Sequence, residues 1–235
     1  MFKFRNQNIN VKVLCKMVKF SAIIFLFFCM EFPNSFAQDR HDLSCGVIYI
    51  SNFIASDYFS SLKSDTNDVA LLDTLFQRSY DYYNGDISES LLTLTFAGLP
   101  YSKMPLKIPV VNVRIDIPLP SVKDAIFEIK KNNLPSQLLF DSPHSEFGDK
   151  DKISHFFGNA FLSYNVSIIS IINFAKFASI YIELFESAFE VEGAVSLRDL
   201  RVNQLGEFFG AALKNNDNIK PSSFFAMYGL YFVIF

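Results

Sequence analysis

The chain has 235 residues; half are hydrophobic and 16% aromatic, with 28 Phe and no Trp. That is ample apolar material for a core and argues against a disordered chain. A formal net charge of −3 leaves no basic excess to neutralise phosphates, which argues against nucleic-acid binding. The mean hydropathy of +0.22 is high for a soluble protein and low for a polytopic membrane protein. It fits an envelope protein that touches lipid, or one with a greasy helical core.

Residues 1–37 read as an address. Lys3, Arg5, Lys12, Lys16 and Lys19 form a basic start, "FSAIIFLFFCM" (20–30) is an apolar run of 11, and "NSFAQ" follows with small residues. This is the layout of a secretory signal peptide cut after Ala37; the run is short for a membrane span, which needs about 20 residues. Cleavage takes away five of the 21 basic residues and one of the 24 acidic ones, leaving 16 against 23, a net −7. Cys15 and Cys29 leave too, so Cys45 stands alone and no internal disulfide can form.

Residues 38–148 form the N-terminal part. The stretch 38–63 suits either a strand or an amphipathic helix. In "TNDVALLDTLFQRSYDYY" (66–83), Val69, Leu72, Leu75, Phe76 and Tyr80 recur at helical intervals. "NGD" breaks that helix, and Ser88 leads a second one, "ESLLTLTFAGL", closed by Gly98 and Pro100. Residues 100–120 hold five prolines and alternate Val111, Val113, Ile115 and Ile117 with polar partners. Proline denies a central strand its ladder donors, so this is an extended connector or an edge hairpin. "SVKDAIFEIKKNN" (121–133) reads as a short helix capped by Ser121.

The C-terminal part, 149–235, is helical in pattern: about 151–164, about 166–189, and a third helix from a Ser196 cap to about Leu213. An apolar tail, "FFAMYGLYFVIF", follows. The expected fold class is mainly α, with a C-terminal bundle of three to four helices. The alternating residues before Phe235 also match the last strand of an outer-membrane barrel, but the helical periods leave no room for eight strands.

Each helical residue advances about 100°, so Asp151, His155 and Asn159 fall within about 80° of one another, with Gly158 beside them. An Asp four residues before a His can hold the imidazole. The alternative is a solvated polar face. On the third helix, Asp199, Asn203, Gly206 and Gly210 share a stripe about 60° wide. The two glycines have the spacing that lets helix backbones approach closely. Glycine in a helix costs about 1 kcal/mol against alanine, so this stripe is expected to pack against something, with His155 and Asn159 as natural partners. Glu183, in "IYIELF", completes a candidate polar cluster of Asp151, His155, Asn159, Glu183, Asp199 and Asn203, with Gly158, Gly206 and Gly210 as helix-packing residues. It reads as a hydrogen-bond network, with no cofactor expected. The alternative is a metal-dependent or acid–base site using His155 with Asp151, Glu183 and Asp199. No G-x-S-x-G, P-loop or dinucleotide fingerprint occurs.

"DKISHFFGNAFLS" (151–163), "IYIELFES" (180–187) and "SLRDLRVNQLGEFFGAAL" (196–213) together resemble the core of VanZ-like proteins and of the small YfiM-type envelope lipoproteins. The resemblance implies roles for Asp151, Lys152, His155, Glu183, Asp199, Asn203, Gly206 and Gly210. It brings no established catalytic mechanism. VanZ-like proteins span the inner membrane several times, whereas here a leader and a long non-membrane part stand in place of the early spans. The resulting expectation is an exported protein of the bacterial periplasm or envelope. It would touch a membrane surface or another envelope protein, with no nucleic-acid partner. A two-span membrane protein, using 156–175 and 219–235, is the further alternative.

Overall fold

The stretch open to either strand or helix proves, where it is described, to be two helices joined by a turn at 55–56. Leu43–Ile54 (α1) turns Val47, Ile50 and Ile54 to the core, and Asp57–Asp65 (α2) follows. The structure is a computed structural model that describes residues 43–108, 113–165 and 197–234. The signal peptide expected over 1–37 and the helix expected over 166–189 lie outside the described residues. Asp68–Tyr82 (α3) and Ile87–Ala97 (α4) match the two helices read from the 3.6-residue periods. Lys103–Ile108 (β1) and Val113–Pro118 (β2) pair antiparallel, with Lys103 opposite Pro118 and Ile108 opposite Val113, so the proline-rich stretch is a hairpin. Both of its strands are edges, where proline costs no interior ladder bond. Then come Asp124–Asn133 (α5), Lys152–Asn165 (α6), Leu197–Leu213 (α7) and Pro221–Ile234 (α8). The described fold is therefore mainly α. No described helix is long and apolar enough to cross a membrane.

The helix starts show what local sequence decides. Ser56 accepts from the Phe59 N–H, Asn67 from Ala70 and Asp86 from Glu89, each cap contributing about 1 kcal/mol. Two caps differ from expectation. Asp86, not Ser88, starts α4, because Ser88 already lies in its first turn. At α5 the cap position is Lys123, and no side chain caps it; Ser121 lies two residues too early.

One apolar core crosses the boundary drawn at residue 148. Leu91, Leu94 and Ala97 of α4 pack with Ile153, Phe156, Phe157 and Ala160 of α6, and with Val202, Leu205 and Phe209 of α7. Phe156 stacks on Phe209 with centroids 5.3 Å apart, and Phe76 meets Phe209 edge-on at 5.2 Å. The change of sequence pattern at 148 is thus not a break in packing. Gly148 marks it for a local reason. It sits at φ +53°, and a Cβ there would lie 2.2 Å from the Ser136 carbonyl oxygen.

Lys130 of α5 is 2% exposed. Its Nζ donates to the Leu99 carbonyl at 2.6 Å and lies 4.9 Å from the Phe127 ring centre. Burial pushes its pKa down from 10.5 to about 7. Between those values the unfolded chain binds a proton that the folded protein does not, so stability rises with pH. The contribution is complete above 10.5, falls with pH, and is gone below about 7. Lys130→Met is expected to flatten this rise between pH 7 and 10, checked by urea denaturation at several pH values.

Candidate functional site

Two glycines let α6 and α7 meet backbone to backbone. A Cβ added at Gly206 would lie 2.1 Å from the Phe156 carbonyl oxygen, and one at Gly210 would lie 2.1 Å from that of Ala160. Real atoms do not approach so closely, so any side chain at either position forces the helices apart. The pairs advance in the same direction along both helices, which makes α6 and α7 parallel neighbours. Gly158 serves a different contact: its missing side chain faces Thr95 of α4, 3.3 Å from the Cβ position. It is a packing glycine of α6, but not part of the α6–α7 seam.

One turn back along the seam, side chains replace glycine. Asn159 Nδ2 donates to the His155 carbonyl and to Asn203 Oδ1, both at 2.9 Å. A carbonyl only accepts, so these bonds fix the Asn159 amide with its nitrogen toward both. Asn203 Oδ1 therefore faces the His155 ring as an acceptor. The ring Nδ1, 3.0 Å away, must carry the proton and donate it. Asn159 and Asn203 are 2% and 1% exposed, so each bond replaces water that burial has removed.

A further turn back, the seam becomes ionic. Lys152 Nζ lies 2.6 Å from Asp151 Oδ2 and is also paired with Asp199 Oδ1. Its side chain is 9% exposed, as is that of Asp199. Burial by itself would lower the lysine pKa, but the Asp151 and Asp199 carboxylates outweigh it and hold the pKa above its ordinary value. One donor atom from each of Asp151, His155 and Asp199 lies within 4.8 Å of the others. His155 itself is half-buried.

The described seam thus brings together Asp151, His155, Asn159, Asp199 and Asn203. Glu183 lies outside the described residues. His144, outside this cluster, is exposed in its loop. Sequence spacing missed the neighbouring anchor. Asp149 is fully buried and paired with Arg198. It also accepts from the backbone N–H groups of Leu138 and Leu139 and from the Ser142 hydroxyl. Asp149 precedes the helix and so falls on no periodic stripe; only its place as the first residue of the "DKDK" run could have drawn attention to it. Comparison of the chain with protein-family models, with curated proteins and with solved structures gives no match.

Gly210→Ala is expected to destabilise the protein by about 1–3 kcal/mol or more, the usual range for overpacking. Gly158→Ala meets the Thr95 side chain at 3.3 Å, a tight contact with a side chain rather than with backbone, and should cost clearly less, both read from urea midpoints.

Proposed function

We propose that the chain is an exported cell-envelope protein whose α6–α7 polar cluster is a structural or ligand-binding centre, not a hydrolytic one. The leader pattern and the acidic balance of the remaining chain support export. The resemblance of the "DKISHFF" and "DLRVNQLGEFFG" segments to VanZ-like and YfiM-type cores supports an envelope setting. One observation carries the reading of the cluster: Lys152 already occupies the position between the two carboxylates where a metal cation would sit.

Charge accounting supports the same reading. Asp199 lies in the first turn of α7, and Asp151 immediately precedes α6. Each helix N-terminus contributes roughly +0.5 charge, and parallel helices place both at one end. Two carboxylates, one ammonium and two helix ends sum to about zero. A divalent cation added to this set would leave it over-charged and would have to displace the lysine.

The protein is therefore expected to purify with no stoichiometric metal and to keep its melting temperature after chelator treatment. Lys152→Met leaves the buried Asp199 and the half-buried Asp151 without their cation. It should cost about 3–5 kcal/mol, with no recovery on adding zinc or manganese. Protein found only in the cytosol on fractionation would overturn the export part.

A second reading, a metal or acid–base enzyme, is favoured by the Asp151, His155 and Asp199 donors lying within 4.8 Å. It requires that purified protein hold one metal per chain, and that His155→Ala lose the metal without unfolding. Elemental analysis separates the two readings.

A further inference from the structure

A cavity of 540 Å³ opens along the outer face of α3, between the α1–α2 corner and the loop 217–221 that leads into α8. Its size lies in the usual range for small-ligand sites. Its walls are tied in place by side chains. Asp73 of α3 accepts from both the backbone N–H of Ser222 (2.8 Å) and its hydroxyl (2.7 Å). Tyr80 donates its hydroxyl proton to Asp217 Oδ2 at 3.2 Å.

The cavity's charged groups differ in what they have left to offer. Asp73 spends both oxygens on Ser222. Asp81 uses one oxygen, to accept from Gln77 Nε2 at 2.7 Å, and Asp217 uses one, for Tyr80. Each of these two keeps an oxygen for an incoming cation. Both cations lining the cavity, Arg78 and Lys220, make no ion pair among the described residues. The guanidinium carbon of Arg78 instead lies over the rings of Tyr49 and Phe53, 5.1 Å from each ring centre. A cation–π contact takes up no carboxylate, so the guanidinium can still meet a planar anion with its N–H donors. Beside it, Tyr58 is 64% exposed and lies 6.2 Å from Phe53, ring centre to ring centre. An aromatic side chain left this open in a walled cavity offers a surface for an apolar group.

Two cations without carboxylates, two carboxylates with a spare oxygen, and an open aromatic wall match one ligand chemistry. We propose that this cavity binds a small zwitterion with an apolar side chain, either a free amino acid or a short peptide. Arg78 and Lys220 take its carboxylate, Asp81 and Asp217 take its ammonium, and Phe53 and Tyr58 take its side chain. The cavity lies apart from the α6–α7 cluster, and the proposal stands whichever reading of that cluster holds.

Calorimetric titration of the full-length protein with L-phenylalanine and with glycyl-phenylalanine tests it. One of the two probes is expected to saturate with a Kd between about 1 µM and 1 mM, and the tighter one identifies the source. For the free amino acid, 3-phenylpropionate lacks the ammonium and phenethylamine lacks the carboxylate, and each should bind at least about tenfold more weakly. Arg78→Gln and Asp217→Asn should each weaken binding about 10- to 100-fold. The second change lies on an exposed loop and reports even if the first destabilises α3. Neither probe binding, a one-charge analogue binding as well as its zwitterion, or full binding by a folded Asp217→Asn protein would each overturn the proposal.

Discussion

The backbone contact between α6 and α7 is the constraint on which the polar seam depends. With glycine at 206 and 210, the carbonyls of Phe156 and Ala160 lie where a Cβ would otherwise be. That closeness lets short side chains reach across the seam. Asn203 can then bond both Asn159 and the His155 ring. Asp199 can reach Lys152. If the helices stood even a methyl group further apart, these bonds would lengthen beyond hydrogen-bond range. The buried amides and the ammonium would then be left without water and without partners, a costly state.

The same packing connects the seam to the α3 cavity through apolar contact. Phe76 borders the cavity and meets Phe209 of α7, which stacks on Phe156 of α6. Phe209 also meets Phe224 at the start of α8, at 5.5 Å. In a chain without tryptophan, phenylalanine is the side chain that joins four helices here. Each ring contributes a large buried area and a preferred edge or stacked geometry, which fixes helix orientation more tightly than aliphatic packing alone. The exposed tyrosine wall and the buried polar seam thus rest on one aromatic framework.

Much of this was legible in the sequence where a period governs it. The helices α3, α4, α6 and α7 follow from 3.6-residue spacing, and the glycine stripe at 206 and 210 announced a close approach before any partner was visible. The cap of α5 and the start of α4 were misread because a serine near a helix start is common, and only geometry selects the residue that caps. Asp149 and Lys130 were not readable at all. Their burial depends on loops and on a carbonyl at Leu99, distant in sequence and following no period. Gly158 is legible as a packing glycine, but an angular position beside a stripe about 80° wide does not say which of two flanking helices it touches. The α3 cavity also escaped notice, since its walls come from three segments with no common pattern.

The parallel course of α6 and α7 also bears on how the chain assembles. The bond between His155 and Asn203 closes a separation of 48 residues, whereas Ser79 of α3 reaches Ser90 of α4 across only 11. Closing a longer loop costs more entropy before any contact repays it, and distant pairings slow folding generally. The antechamber of near-neighbour helices α3 and α4 can therefore form on its own schedule and offer a template to α6. The polar seam can close only after a long excursion of the chain has been brought home.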